Sequence, residues 1–159
     1  MTIKPSVAFL ILLLIVAIPL FAHLDSFPLA EWDESHLAIN AADMYKNHNW
    51  IVTTVDNNPD MWQTKPPLMI WLQVLSMKMF GINELAVRLP AAIAALGTCL
   101  LLFFFFTKKY KEPWLGLIAV AVLVSTDGYI QLHGVRNGEY DSLLTMLTTG
   151  SPVPDKCLC

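Results

Sequence analysis

Three polar groups in an otherwise apolar chain have the residue types that group-transfer chemistry needs. They are Asp33-Glu34, Lys65, and the run Arg136-Asn137-Gly138-Glu139-Tyr140-Asp141. Carboxylates beside fixed cations suit the displacement of a phosphate. The cations, Lys65 and Arg136, would bind the phosphate leaving group. A carboxylate, with Asp33, Glu34 and Asp141 as the candidates, would take the proton from an incoming hydroxyl. Glu139 adds a further acid to the second loop. Each group also has a plainer reading. Asp33 fits a helix N-cap, and Lys65-Pro66-Pro67 fits a solvated lysine before a rigid helix start. Arg136, Glu139 and Asp141 fit the charged flank of a membrane span. His36, His48 and His133 lack the paired spacing of metal ligands.

The elements that position these groups follow from composition. Of 159 residues, 55% are hydrophobic and only 14% charged. With a mean hydropathy of +0.53, this is a membrane chain. A net charge of −3 offers no basic stripe for phosphate backbones, so nucleic acid is excluded as a partner. The three cysteines are Cys99, inside an apolar run, and Cys157 and Cys159 at the end. They form neither a disulfide framework nor a metal-ligand spacing. The terminal Cys-Leu-Cys does not fit a prenylation signal, because Lys156 stands fourth from the end.

Apolar runs predict membrane spans at about 7–24, 89–106 and 114–135, since roughly 20 apolar residues cross a bilayer. Pro19 is tolerated within such a span. Leu20 occupies the position where signal cleavage after Ala22 would need a small residue, which argues against a cleaved leader. Ser142 to Leu147 starts a fourth span that stops at Gly150, and residues 150–159 form a polar, proline-broken tail. Lys4 and the cluster Lys108, Lys109 and Lys111 lie close to span ends, which places them and the N-terminus on the cytoplasmic side. The 25–88 loop then faces outward. Two spans separate it from Arg136–Asp141, so both face the same side and the three polar groups can converge.

The loop holds four of the five tryptophans. Leu37, Ala41, Met44 and Tyr45 share one face of a predicted helix over 34–47, with Asp33 as its N-cap. Residues 50–55 read as extended and 56–60 as a turn. A second helix is predicted from Pro67 to Phe80, with Gly81 as its stop. Leu68, Trp71, Leu72, Leu75 and Met79 line one face of it. At about 21 Å it is too short to span, so both helices are expected in the membrane interface. The fold class is all-α and multi-pass, with about three transmembrane helices and a truncated fourth.

In this order the features resemble the polyprenyl-phosphate-dependent GT-C glycosyltransferases, in the branch of the protein O-mannosyltransferases and the lipid A aminoarabinose transferase. The matching stretches are Trp32-Asp33-Glu34, Lys65-Pro66-Pro67-Leu68 with Trp71-Leu72, Phe80-Gly81-Ile82-Asn83-Glu84-Leu85-Ala86-Val87-Arg88-Leu89-Pro90, and Gly134-Val135-Arg136-Asn137-Gly138-Glu139-Tyr140-Asp141. The resemblance implies an inverting transfer of a sugar from a polyprenyl-phosphate donor to a protein or lipid acceptor. It places the reaction at the outer face of a bacterial inner membrane, with membrane lipid around the chain. It matches Asp33 to the catalytic acidic residue of the first loop, Lys65 to the lysine that meets the donor phosphate, and Asp141, with Arg136 and Glu139, to the second acidic loop. Some relatives carry Glu before that lysine, where it helps hold a divalent metal. Here the residue is Thr64, which leaves the metal open. Family members are far longer, so residues 1–149 are expected to be the N-terminal part of such a domain and 150–159 a non-matching tail. The rival expectation is a small non-enzymatic membrane protein that binds a partner through the 25–88 loop.

Overall fold

The computed structural model describes residues 4–130 and 135–151. The chain is mainly helical: α1 (Pro5–Phe21), α2 (Asp33–Asn47), α3 (Leu68–Phe80), α4 (Glu84–Phe105), α5 (Pro113–Ser125), α6 (Asp127–Ile130) and α7 (Asp141–Gly150). Between α2 and α3, β1 (Thr54–Val55) pairs antiparallel with β2 (Asn58–Pro59). Asp56 and Asn57 both have positive φ, as a tight hairpin turn with the twist of its strands requires.

Helix α4 is the axis of the fold. Ala92, Ala95, Cys99 and Phe103 pack with Ala8, Leu12, Val16 and Leu20 of α1 and with Leu117, Val120 and Val124 of α5. The alanines let neighbouring backbones come close, which is how helices associate where no water drives them together. A second core joins Leu37, Ala41 and Met44 of α2 to Ile70, Val74 and Met77 of α3 and to Ala86 and Val87 at the start of α4. A third, around Met69, Ala91, Ala94 and Leu143, seats α7 against α3 and α4. Outward faces are apolar too, with Leu10, Leu14 and Ile18 of α1 and Ile118 and Val122 of α5 exposed. Helices apolar on all sides suit a membrane interior.

Several expected boundaries move. The helix that carries the second apolar run begins at Glu84, ahead of Leu89, because Asn83 caps it by accepting from the Ala86 N–H and Arg88 lies buried within it. Continued by the π-helical turn Phe106–Tyr110, the helix runs over 27 residues, and among the described residues it alone is long and apolar enough to cross a membrane. The first apolar run forms a helix of 17 residues, about 25 Å long. The third expected span is not one helix. Helix α5 has 13 residues, about 20 Å, and the chain breaks at Thr126 before α6. The polar residues from Ser125 to Asp127 explain the break. Residues 131–134, which include His133 and Gly134, and the tail from 152 lie outside the described residues.

In the loop, α2 and α3 form over the expected residues, but α3 packs through Met69, Ile70, Gln73, Val74 and Met77, while Leu68, Trp71, Leu75 and Met79 of its expected apolar face are exposed. Gly81 ends α3 at φ 81°, a conformation that glycine adopts at no steric cost. Asp33 is not the N-cap of α2. Trp32 holds that position at φ 75°, and its carbonyl accepts the His36 N–H at 2.9 Å. Asp33 is therefore already inside the first turn, and its carboxylate makes no capping bond.

Candidate active site

The site is built on an ion pair that the sequence did not announce. Arg88, in the first turns of α4, donates Nε to Glu34 Oε1 at 2.7 Å and Nη2 to Oε2 at 3.0 Å. Its remaining donors reach the carbonyls of Leu24 and Phe27 (both 2.9 Å, from Nη1) and Pro28 (2.9 Å, from Nη2). Glu34 also accepts the Ala30 N–H at 2.6 Å and the Gly138 N–H at 2.9 Å. Burial alone would raise the Glu34 pKa. The Arg88 hydrogen bonds, the two N–H groups and the Arg88 charge outweigh it and hold the carboxyl below its usual range. Gln73 of α3 completes the joint by donating to the carbonyls of Gly138 (2.9 Å) and Val87 (3.2 Å). The contact leaves no room for a side chain at 138, where a Cβ would lie 2.6 Å from Val87 Cγ1 and 2.9 Å from the Val87 carbonyl oxygen. One polar joint thus fastens α2, α3, α4, the 24–30 segment and the 135–140 loop.

Above this joint lies a small cleft of about 80 Å³ lined by Asp33, His36, Leu37, Trp62, Gln63, Thr64, Lys65 and Tyr140. Lys65 Nζ stands 3.9 Å from Asp33 Oδ2, with the two side chains 53% and 59% exposed. The same ammonium lies over the Tyr140 ring, 5.1 Å from its centroid, within cation–π range. Gln63 donates to the Tyr140 hydroxyl. Burial pushes the Tyr140 phenol up to about 12, opposed by the Gln63 bond and reinforced by the charges of Asp33 and Asp60, so the ring is a neutral platform. At the far wall His36 Nε2 meets Asp60 Oδ2 at 2.7 Å. A carboxylate can only accept, so the imidazole is the donor.

The candidates are therefore divided by the structure. Asp33 and Lys65 come together at the cleft with Tyr140. Glu34, next to Asp33 in sequence, lies beneath in the ion pair. Asp141 is exposed in the first turn of α7 and follows directly on Tyr140. Arg136 is half-buried, and its Nε has no hydrogen-bond partner among the described residues. Glu139 is buried and accepts from Asn137 at 3.4 Å. Among the described residues no group of three or more His, Cys, Asp or Glu side chains gathers to hold a metal ion. Arg88, Gln73, His36, Asp60 and Tyr140 were missed as site residues. For Arg88 the signal was present, since a charge within an apolar helix must have a partner. Gln73 lies opposite the expected apolar face of α3, and only the packing of α3 shows it buried.

Comparison with known proteins extends this picture. A putative mannosyltransferase, YycA, of Bacillus subtilis (strain 168) is 28% identical over 99 residues, 61% of this chain and 14% of that protein. The undecaprenyl phosphate-alpha-4-amino-4-deoxy-L-arabinose arabinosyl transferase of Shewanella sediminis is 32% identical over 110 residues, 66% of this chain and 20% of that protein. In fold the chain is similar to ArnT from Cupriavidus metallidurans, crystallised bound to undecaprenyl phosphate. The TM-score is 0.73 at 17% identity, over 92% of this chain and 26% of that one. The chain thus spans about a quarter or less of the length of these relatives. The sequence pattern of the dolichyl-phosphate-mannose-protein mannosyltransferases matches residues 64–151, which include Lys65, Arg88 and the 135–141 loop. On that match, which covers more than half of its length, the chain belongs to the dolichyl-phosphate-mannose-protein mannosyltransferase family of GT-C glycosyltransferases.

Proposed function

We propose that this chain supplies the donor-phosphate end of the active site of an inverting GT-C glycosyltransferase. The enzyme would move a sugar from a polyprenyl phosphate to a protein or lipid acceptor at the outer face of a bacterial plasma membrane, with its N-terminus inside. The observation that carries the reading is the meeting of Asp33 and Lys65, 3.9 Å apart and both solvent-exposed, at the edge of one cleft. In the step, an acceptor oxygen attacks the anomeric carbon from the face opposite the phosphate. The bond from that carbon to the phosphate oxygen breaks, and the electron pair leaves on the polyprenyl phosphate. Lys65 meets the growing negative charge, and the acceptor proton passes to Asp33. Glu34 is unsuited to that transfer. It accepts two N–H bonds from Arg88 and one each from Ala30 and Gly138, which fill its lone-pair sites. We assign it a positioning role. Arg136 is a second candidate for phosphate, Asp141 is the second acid, and Glu139 supports their loop.

Family membership disfavours the rival reading of a non-enzymatic partner-binding protein. The test is binding of undecaprenyl phosphate to the chain in lipid nanodiscs. Lys65→Ala should weaken it by about tenfold or more, the usual scale for a charge-assisted contact. Unchanged affinity would remove Lys65 from the donor site.

A further inference from the structure

Lys65 sits at the end of an irregular segment that apolar packing does not hold. Met61 and Trp62, its large apolar side chains, are 90% and 81% exposed. What locates the segment on the α2 side is Asp60, whose own side chain is only 4% exposed. Its Oδ2 accepts from His36 Nε2 at 2.7 Å and from Asn40 Nδ2 at 2.8 Å, both on α2. Its Oδ1 accepts the Trp62 N–H at 3.0 Å, and its own N–H donates to the Thr53 carbonyl at 2.9 Å. Asn40 is fully buried, and its amide also donates to the His36 carbonyl, which fixes its direction. His36 lies one turn after Asp33 on the same helix, so the grip on Asp60 and the Asp33 carboxylate share one rigid body.

We propose that Asp60, gripped by His36 and Asn40, is a positioning residue that sets Lys65 opposite Asp33. The three form a polar latch between α2 and the 60–65 segment. The proposal rests on the reading of Lys65 as the donor-phosphate ligand. At its other end the segment meets Tyr140, which belongs to a different part of the fold, through Gln63 and Lys65, and Lys65 reaches the exposed Asp33 carboxylate at 3.9 Å. Without the latch the Lys65 ammonium would keep its charge but lose its fixed distance from Asp33. A hydrogen bond to a carboxylate typically shifts such an equilibrium by about tenfold or more.

Two measurements on the 159-residue chain in nanodiscs test this. Hydrogen exchange of residues 60–65 should rise about tenfold in Asp60→Asn and in His36→Leu, while exchange in α1 and α4 stays unchanged. His36→Gln keeps a donor for Asp60 and should restore most of the protection. In the second measurement, Asp60→Asn should weaken undecaprenyl phosphate binding in the native background and add nothing on top of Lys65→Ala. Unaltered exchange at 60–65, a rise spread over the whole chain, or independent addition of the two losses would each overturn the latch. If instead exchange responds as expected but Lys65→Ala leaves binding untouched, the latch stands and the donor-phosphate reading fails.

Discussion

Arg88 Nε lies 2.7 Å from Glu34 Oε1, and the two side chains are 6% and 0% exposed although 54 residues separate them in sequence. Removing one partner of such a buried pair costs about 3–5 kcal/mol, because the other is left charged and uncompensated. Arg88→Ala should therefore lower the thermal unfolding midpoint sharply. Replacing both residues with apolar ones of similar volume, which often rescues a buried pair, should not do so here. The N–H groups of Ala30 and Gly138 and the carbonyls of Leu24, Phe27 and Pro28 would lose their partners as well. A double variant as stable as the native chain would contradict this.

Acid should act through the same pair. The folded pKa of Glu34 lies below its unfolded value, so its contribution to stability is complete above about pH 4.3 and is lost as pH falls through the folded value. Asp60 shifts in the same direction, its burial outweighed by bonds from Asn40, Trp62 and His36. The unfolding midpoint should fall as pH drops below about 4.3, and Glu34→Gln should flatten part of that fall. A midpoint that rises over this range would reverse the assigned sign.

Asp33→Asn separates catalysis from structure. Asp33 makes no capping bond, so its helix loses only a favourable charge near the N-terminus, about 0.3–1 kcal/mol. The loss of a general base typically costs a factor of about 10² to 10⁴ in rate. In a form extended through the remaining helices of a family member, Asp33→Asn should fold like the native protein and lose at least about a hundredfold in transfer. Turnover near the native rate would shift the search to Asp141.

Sidedness can be read with thiols. After Cys157 and Cys159 are changed to serine, Asn58→Cys should react with an impermeant reagent in intact cells and Thr107→Cys should not. Lys4 and Lys108 to Lys111 set this expectation. The opposite labelling would place the cleft in the cytoplasm.

The 159-residue chain alone should bind donor without transferring sugar. Polar groups at membrane depth need cover from protein or a water-filled cavity. Here the cleft stands open, and α1, α3 and α5 present bare apolar faces. Transfer by the purified chain at the rate of a longer relative would show that these helices suffice.

Local elements were legible because local rules make them. Leu37, Ala41 and Met44 fall on the buried side of α2 as their spacing requires, and Gly81 stops α3. Boundaries set by distant partners were not. The helix of the apolar run expected from Leu89 starts at Glu84, and Arg88 can lie buried in it because a residue on another helix pairs its charge, which hydropathy cannot register. The span expected over 114–135 breaks at Thr126, where run length alone concealed three polar residues. At the site, counting spans gave the expectation that the 136–141 loop can meet Asp33 and Lys65, and Tyr140 of that loop lines the cleft with both. The split between Asp33 and Glu34 was not legible, since adjacent acids look alike until their surroundings are known.

That split has a geometric consequence. Successive residues on an α-helix point about 100° apart around its axis. Pinning Glu34 to Arg88 thus fixes the azimuth of α2, and with it the compass bearing of every side chain the helix displays. Asp33 is aimed at the cleft less by its own contacts than by its neighbour's, like a pointer keyed to a shaft. Inserting a residue between 33 and 34 would leave both carboxylates in the chain, yet turn one of them away from its task.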